Sequence, residues 1–219
     1  LDFIENHRGQ PFLLNLWFYS VHAPFQAKKD LIAKYQSKKD PRGKQDCPTM
    51  GAMIETMDTN VGRVMAKLDE LGLSENTIVI LFSDNGGNMY NTVEGTTPTN
   101  NAPLRAGKGN IHEGGVREPC LVVWPGQVEP GSRSDEVISS IDFYPTLLEM
   151  TGVANKENQP FDGISFVPAL KGEKLKREAI FCHVPHYFPR PGNLPSTSVR
   201  QGDWKLIRVY GEGPDRTCA

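Results

Sequence analysis

The stretch that most constrains this 219-residue chain is residues 77–82, TIVILF, mostly β-branched and without polar alternation. Such a run fits a strand covered on both faces, as in a parallel sheet with helices on each side. It breaks directly into SDNGG. Asn-Gly is a common way to reverse a strand, yet no apolar partner run follows at once. Residues 88–119 are rich in Gly, Asn, Thr and Pro, and an apolar run resumes only at CLVVW. A connection that long inside a compact domain is usually functional or disordered. In open α/β sheets ligands bind beyond the carboxyl ends of the strands, which is where Asp84 and Asn85 would sit. Local chemistry alone leaves a turn and a binding site both open.

The surrounding pattern alternates strand and helix. FLLNLWFYS (12–20) reads as a further strand. From Met50 to Leu71 apolar residues recur at three and four, the signature of a long amphipathic helix, and Gly72 suits its C-terminal cap. TIVILF begins five residues on, so strand, helix and strand form a right-handed crossover in a largely parallel sheet. SSIDFYPTLLEMTG offers Asp142 as an N-cap, Pro145 in the first turn and Gly152 as a stop. KGEKLKRE then reads as a charged, linker-like stretch. Beyond it, AIFCHV and VRQGDWKLIRVY, the latter with a turn at Gly202 and Asp203, predict a small antiparallel tail. The expected division is an α/β core over 1–175 and an antiparallel subdomain over 176–219.

Charge narrows the function classes. A net charge of -2 with mixed signs gives no electrostatic case for nucleic acid or a membrane surface, and no apolar stretch reaches the length of a membrane span. Of Cys47, Cys120, Cys182 and Cys218, none is paired as CxxC; Cys120 and Cys182 sit in apolar runs and read as small buried hydrophobes. The chain begins at Leu1 inside what reads as the last turns of a helix, the expectation for a piece of a longer protein.

Three polar features lie at or past strand ends: Asp84 with Asn85, His22 in YSVHAPF, and Lys108 in PLRAGKGNIHEGG. Each alone is weak, and GKG is no Walker A loop, since the glycine five residues before Gly107 and the following Ser or Thr are missing. Together they supply oxygens that hard cations take, and the positive charge and protons that an oxyanion ester requires.

SDNGG after an apolar strand, PLRAGKGNIHEGGVREPCLVVWPG, ISSIDFYPTLLEMTG and DGISFVPALKG resemble, in order, the second half of a sulfatase of the arylsulfatase type, in the alkaline phosphatase superfamily. FLLNLWFYSVHAPF fits the same pattern upstream, so the resemblance covers about Phe12 to Trp204. It implies an alkaline-phosphatase-like, mostly parallel sheet flanked by helices, incomplete here. It implies calcium at Asp84 and Asn85, and sulfate contacts from Lys108 and His22, with His22 protonating the leaving group. The C-terminal region borders the substrate entrance in the resembling enzymes, so His186 would read the substrate beyond the sulfate. His183 and His186 share a metal-like spacing only superficially, because a strand-to-proline turn does not hold both on one face. Arg105, His112, Glu113 and Arg117 read as loop-ordering residues as readily as substrate contacts.

The departure from the family matters equally. A formylglycine arises from Cys or Ser in a C-x-P-S-R segment, and CPTMG at Cys47 lacks the Ser-Arg. The expectation is a chain that carries part of a sulfatase site, with the nucleophile supplied by other sequence, inactive alone and holding calcium weakly if at all. The resemblance also implies a carbohydrate or aryl sulfate ester as substrate and a periplasmic or secreted location. A phosphate or phosphonate ester hydrolase of the same fold, or a non-catalytic sulfatase-like binding protein, stays open.

Overall fold

A computed structural model of the chain describes residues 1–157, 159–188 and 193–211. The chain divides into two compact units, the first Leu1–Cys120 and the second running from Leu121 through the described residues 193–211.

In the first unit a short helix α1 (Asp2–Asn6) buries Ile4, and helices α2 (Lys29–Gln36) and α3 (Pro48–Glu70) pack together. The sequence predicts α3 from residue 50; Pro48 extends it because a first-turn proline loses no intrahelical hydrogen bond. Gly51 of α3 faces the Tyr35 ring of α2, where an added Cβ would lie 2.6 Å from a ring carbon, so the helices approach as closely as they do only because position 51 has no side chain. A bidentate Lys34–Glu55 pair at 2.6 and 2.8 Å closes the same contact. Met50, Ala52, Met53 and Leu68 are buried, which accounts for the apolar spacing. At the end of α3, Gly72 turns left-handed (φ 67°) and the Leu73 N–H returns to the Leu68 carbonyl at 2.8 Å, the glycine-terminated cap foreseen in the sequence.

Strand β1 (Val79–Phe82) follows, two residues shorter than TIVILF, and it is half exposed rather than covered on both faces. The segment 12–20 departs from expectation further. It forms no strand, because no ladder hydrogen bond reaches it among the described residues, and Leu13 and Trp17 stand 73% and 89% exposed. Apolar β-branched sequence specifies a strand only where a neighbour supplies backbone partners. After β1 the chain runs as loop to the single turn α4 (Glu113–Val116) and enters strand β2 (Cys120–Val123).

The second unit is organised around Asp142, which is fully buried. The sequence assigns it as the cap of helix α5 (Phe143–Thr151), but its side chain makes no hydrogen bond to that helix. Instead its carboxylate accepts the Ser139 N–H at 2.7 Å, the Ile164 N–H at 3.0 Å and both arms of the Arg177 guanidinium. Arg177 also donates to the Val137 carbonyl, and Glu136 accepts the Leu175 N–H at 2.9 Å. The stretch KGEKLKRE is therefore anchored rather than a linker. Its charges looked solvated because the sequence does not show that the partner of Arg177 lies 35 residues earlier. Thr146 of α5 accepts the Phe166 N–H at 2.9 Å, which ties in helix α6 (Val167–Leu170). Strands β3 (Ile180–Val184), β4 (Ser196–Gln201) and β5 (Trp204–Val209) form the expected antiparallel sheet, turning at Gly202–Asp203. Its register sets Phe181, Val199 and Leu206 in one cross-strand row. Cys47 is buried, whereas Cys120 and Cys182 are only half-buried, and Cys218 lies outside the described residues.

Burial opposes charge on Asp142, but Arg177 and the Ile164 and Ser139 amides outweigh it and hold the carboxyl below the usual carboxylate range. Removing one partner of such a pair leaves a buried charge, so Arg177→Ala should lower unfolding free energy by about 3 kcal/mol in urea titrations near neutral pH. Because the folded-state pKa is depressed, this stabilisation is complete above about pH 4 and fades as pH falls through the lower folded value. The difference between wild type and Arg177→Ala should accordingly narrow in acid.

Candidate active site

The end of β1 and the 105–117 loop form one backbone knot in the first unit. The Gly86 N–H donates to the Gly115 carbonyl at 3.1 Å, the Lys108 N–H to the Gly87 carbonyl at 3.0 Å, and the Gly114 N–H to the Arg105 carbonyl at 2.8 Å. Asn101 completes it. Its amide oxygen accepts the Gly87 N–H at 3.2 Å, and its amide nitrogen donates to the Gly87 and Ala106 carbonyls at 3.1 Å each. Glycine is obligatory at the crossing: a Cβ on Gly86 would lie 1.8 Å from the Gly114 carbonyl oxygen, and one on Gly107 2.4 Å from that of Gly87. Ala106, beside Lys108, takes a left-handed conformation (φ 63°) that costs a non-glycine residue energy and persists because its neighbours hold it.

This knot carries Asp84, Asn85 and Lys108 on two loops tied backbone to backbone. Asp84 is exposed, Asn85 and Lys108 are half-buried, and among the described residues no ion pair engages the Asp84 carboxylate or the Lys108 ammonium. Glu118, just past α4, is a residue that the sequence reading missed. Burial, reinforced by the charge of Asp84, raises its carboxyl to about 7, and its buried Oε1 has no hydrogen-bond partner among the described residues. Asn101 was missed as well, because nothing in TPTNNAPL distinguishes a structural amide from an ordinary loop asparagine.

His22 lies on a separate, exposed loop of the same unit. Its Nδ1 is 2.8 Å from the Ala23 carbonyl, which only accepts, so Nδ1 carries the hydrogen and Nε2 is left to take up or release a proton. The Tyr19 hydroxyl donates to the same carbonyl, and the Tyr19 and His22 rings meet edge to face at 5.9 Å. The contacts described for His22 are these local ones, and none joins it to Asp84, Asn85 or Lys108. His186 belongs to the second unit, exposed and 6.2 Å from the Phe188 ring, while His183 Nδ1 meets Thr197 Oγ1 at 2.7 Å.

Residues 1–153 match the family described as Sulfatase, and residues 107–216 match N-sulphoglucosamine sulphohydrolase, C-terminal. The chain belongs to the sulfatase family. It is 39% identical to a sulfatase of Formosa agariphila over 91% of its own length, and 37% identical to the steryl-sulfatase of Mus musculus over 84%. It spans only 38% and 28% of those two curated relatives. Among solved structures it superposes with a TM-score of 0.80 at 31% identity on Ps i-CgsB in complex with k-i-k-neocarrahexaose, covering 95% of this chain and 44% of that one. The fold is therefore the alkaline-phosphatase-like α/β fold of the sulfatases, present in part, with small sheets.

The knot yields a direct prediction. Asn101→Ala removes three hydrogen bonds from partly buried backbone groups and should destabilise the loop by about 2 kcal/mol. Hydrogen exchange should show this as faster exchange of the Gly87 and Lys108 amides, with those of α5 unchanged.

Proposed function

We propose that this chain carries the calcium-binding and sulfate-binding part of a sulfate ester hydrolase. The observation that carries the reading is the 3.0 Å bond from the Lys108 N–H to the Gly87 carbonyl, which keeps a cation and an acid-amide pair on adjoining loops of a sulfatase-family chain. The residues fit the metal that the family implies, since Asp84 and Asn85 offer the carboxylate and amide oxygens that hard cations take. Asp84 and Asn85 would hold calcium, which when bound would neutralise charge on the sulfuryl oxygens.

The remaining roles belong to the chain's own side chains. The Lys108 ammonium stabilises negative charge that grows on the sulfate and its bridging oxygen as the ester bond breaks. Asn101 and the crossing glycines keep the backbone at Lys108 fixed, so this charge needs no reorganisation during reaction. His22, protonated at Nε2 with Nδ1–H fixed on Ala23, donates a proton to the departing oxygen. The nucleophile, a formylglycine, comes from sequence outside these 219 residues, for CPTMG is not a formylglycine segment. The relatives' names include steryl- and N-acetylgalactosamine-6-sulfatases, so the substrate is given as a class, a sulfate ester.

The test uses a chromogenic aryl sulfate and a sulfated oligosaccharide. The 219-residue chain alone should release no sulfate, and a longer polypeptide that adds a formylglycine-bearing segment should. In that longer protein Lys108→Ala should lower kcat/KM by about 10²- to 10³-fold, and His22→Ala by about 10²-fold or more. Robust hydrolysis by the 219 residues alone, or full activity in Lys108→Ala, would overturn the reading.

A further inference from the structure

One charged surface takes no part in the roles assigned so far. Residues 28–46, KKDLIAKYQSKKDPRGKQD, hold seven lysines and arginines against three aspartates, in a chain whose net charge is -2. All seven basic residues are exposed. Lys34 is engaged by Glu55, Lys39 meets Asp46 at 3.6 Å and Arg42 meets Asp40 at 3.2 Å. Lys28, Lys29, Lys38 and Lys44 join no ion pair among the described residues.

The surface has a built shape. Asp40 folds the loop after α2, its Oδ1 accepting the Arg42 N–H at 3.1 Å and its Oδ2 the Lys44 and Gln45 N–H groups at 3.1 and 3.0 Å. The Arg42 guanidinium and these amides hold the Asp40 carboxyl down to about 2, so the loop keeps its organiser ionised at neutral pH. Gln45 Nε2 donates to the Pro98 carbonyl at 3.3 Å, which moors the loop to the segment that leads to Asn101. Between the loop and α3 lies a cavity of about 210 Å³, whose lining includes Tyr35, Lys38, Lys39, Gln45, Cys47 and Met50. Pockets for drug-sized ligands run to roughly 300–1,000 Å³, so this one admits one group of a larger ligand. The Lys38 ammonium stands 4.5 Å from the centre of the Tyr35 ring, which is itself held against Gly51. The Lys39–Asp46 pair is exposed at both ends and costs little to rearrange.

We infer that this collar of lysines is a binding surface for a polysulfated glycan, with Lys38 and Lys39 holding a sulfate group at the cavity and the other cations of α2 and the loop attracting the chain. The inference rests on the reading of this chain as part of a sulfate ester hydrolase, and adds that the substrate carries sulfates beyond the one that reacts at Lys108. One ester needs one pocket; a second group of free cations in the same unit answers a polyanion. Six of the seven basic residues are lysines, mobile point charges that suit anions spaced along a flexible chain, where arginine favours fixed bidentate pairing. No aromatic or large aliphatic side chain within 28–46 is among the exposed ones, which disfavours base stacking and bilayer insertion alike.

The test measures binding, by fluorescence anisotropy of a fluorescein-labelled dextran sulfate oligomer titrated with the whole 219-residue chain, with thermal unfolding as the check on folding. Wild type should bind it, ignore unsulfated dextran, and lose affinity about tenfold between roughly 50 and 300 mM NaCl. Lys38→Glu with Lys39→Glu should weaken binding about tenfold. Lys174→Glu with Lys176→Glu, an equal charge change at exposed lysines of the second unit, should leave it unchanged. No binding by wild type, or equal losses in both pairs, overturns the inference. So does tighter binding of a single-stranded DNA oligonucleotide or of phosphatidylserine vesicles, which would make the partner a nucleic acid or a membrane. If Lys108→Ala carries the loss and the Lys38 and Lys39 pair does not, the ligand sits in the proposed sulfate pocket, and the surface is overturned while that pocket stands. The assay involves no hydrolysis, so a longer protein that releases no sulfate overturns the catalytic reading and leaves the binding result to be judged alone. Should the Lys38 and Lys39 variant fail to fold, Lys38→Ala with Lys44→Ala decides: weakened binding supports the surface, and wild-type affinity overturns it.

Discussion

The site proposed around Asp84 and Lys108 depends on one backbone crossing, in which residues 86–87 and 105–115 exchange hydrogen bonds at distances that exclude any side chain at Gly86, Gly107 or Gly114. Charged groups act on an anion only when their positions are fixed before it arrives. Lys108 and Asp84 gain that fixity from main-chain contacts and from one amide, Asn101, rather than from their own ion pairs. Carboxylate, amide and ammonium stay available because the glycines and Asn101 satisfy the backbone without drawing on them.

Much of the fold was legible where periodicity is local. The α3 helix, its glycine cap, α5 with Gly152 as stop and the Gly202–Asp203 hairpin all follow from patterns within one element. What failed depended on partners far away in sequence. Segment 12–20 has the composition of a strand but no neighbour to pair with among the described residues, and β1 has an exposed end at Leu81 and Phe82. Such uncovered apolar segments agree with a chain that spans less than half of the sulfatase structure it superposes on.

The site was legible to a similar degree. SDNGG, the H-x-P segment and the lysine between glycines signalled Asp84, Asn85, His22 and Lys108 as candidates. Glu118 and Asn101 gave no signal, because an unpartnered carboxylate and a structural amide are properties of neighbours rather than of residue type. The histidine tautomer was equally hidden, since it depends on the Ala23 carbonyl one residue on.

The clasp between Asp142 and Arg177 bears on how this protein can be dissected. Composition invites a division within KGEKLKRE, between an α/β part and a sheet of three strands. Such a cut would strand an anion in the interior of one fragment and leave its guanidinium dangling from the other, so neither piece would keep the interior that it has in the intact chain. The residue that looks most like a tether is the one that ties its stretch to the buried centre of the second unit.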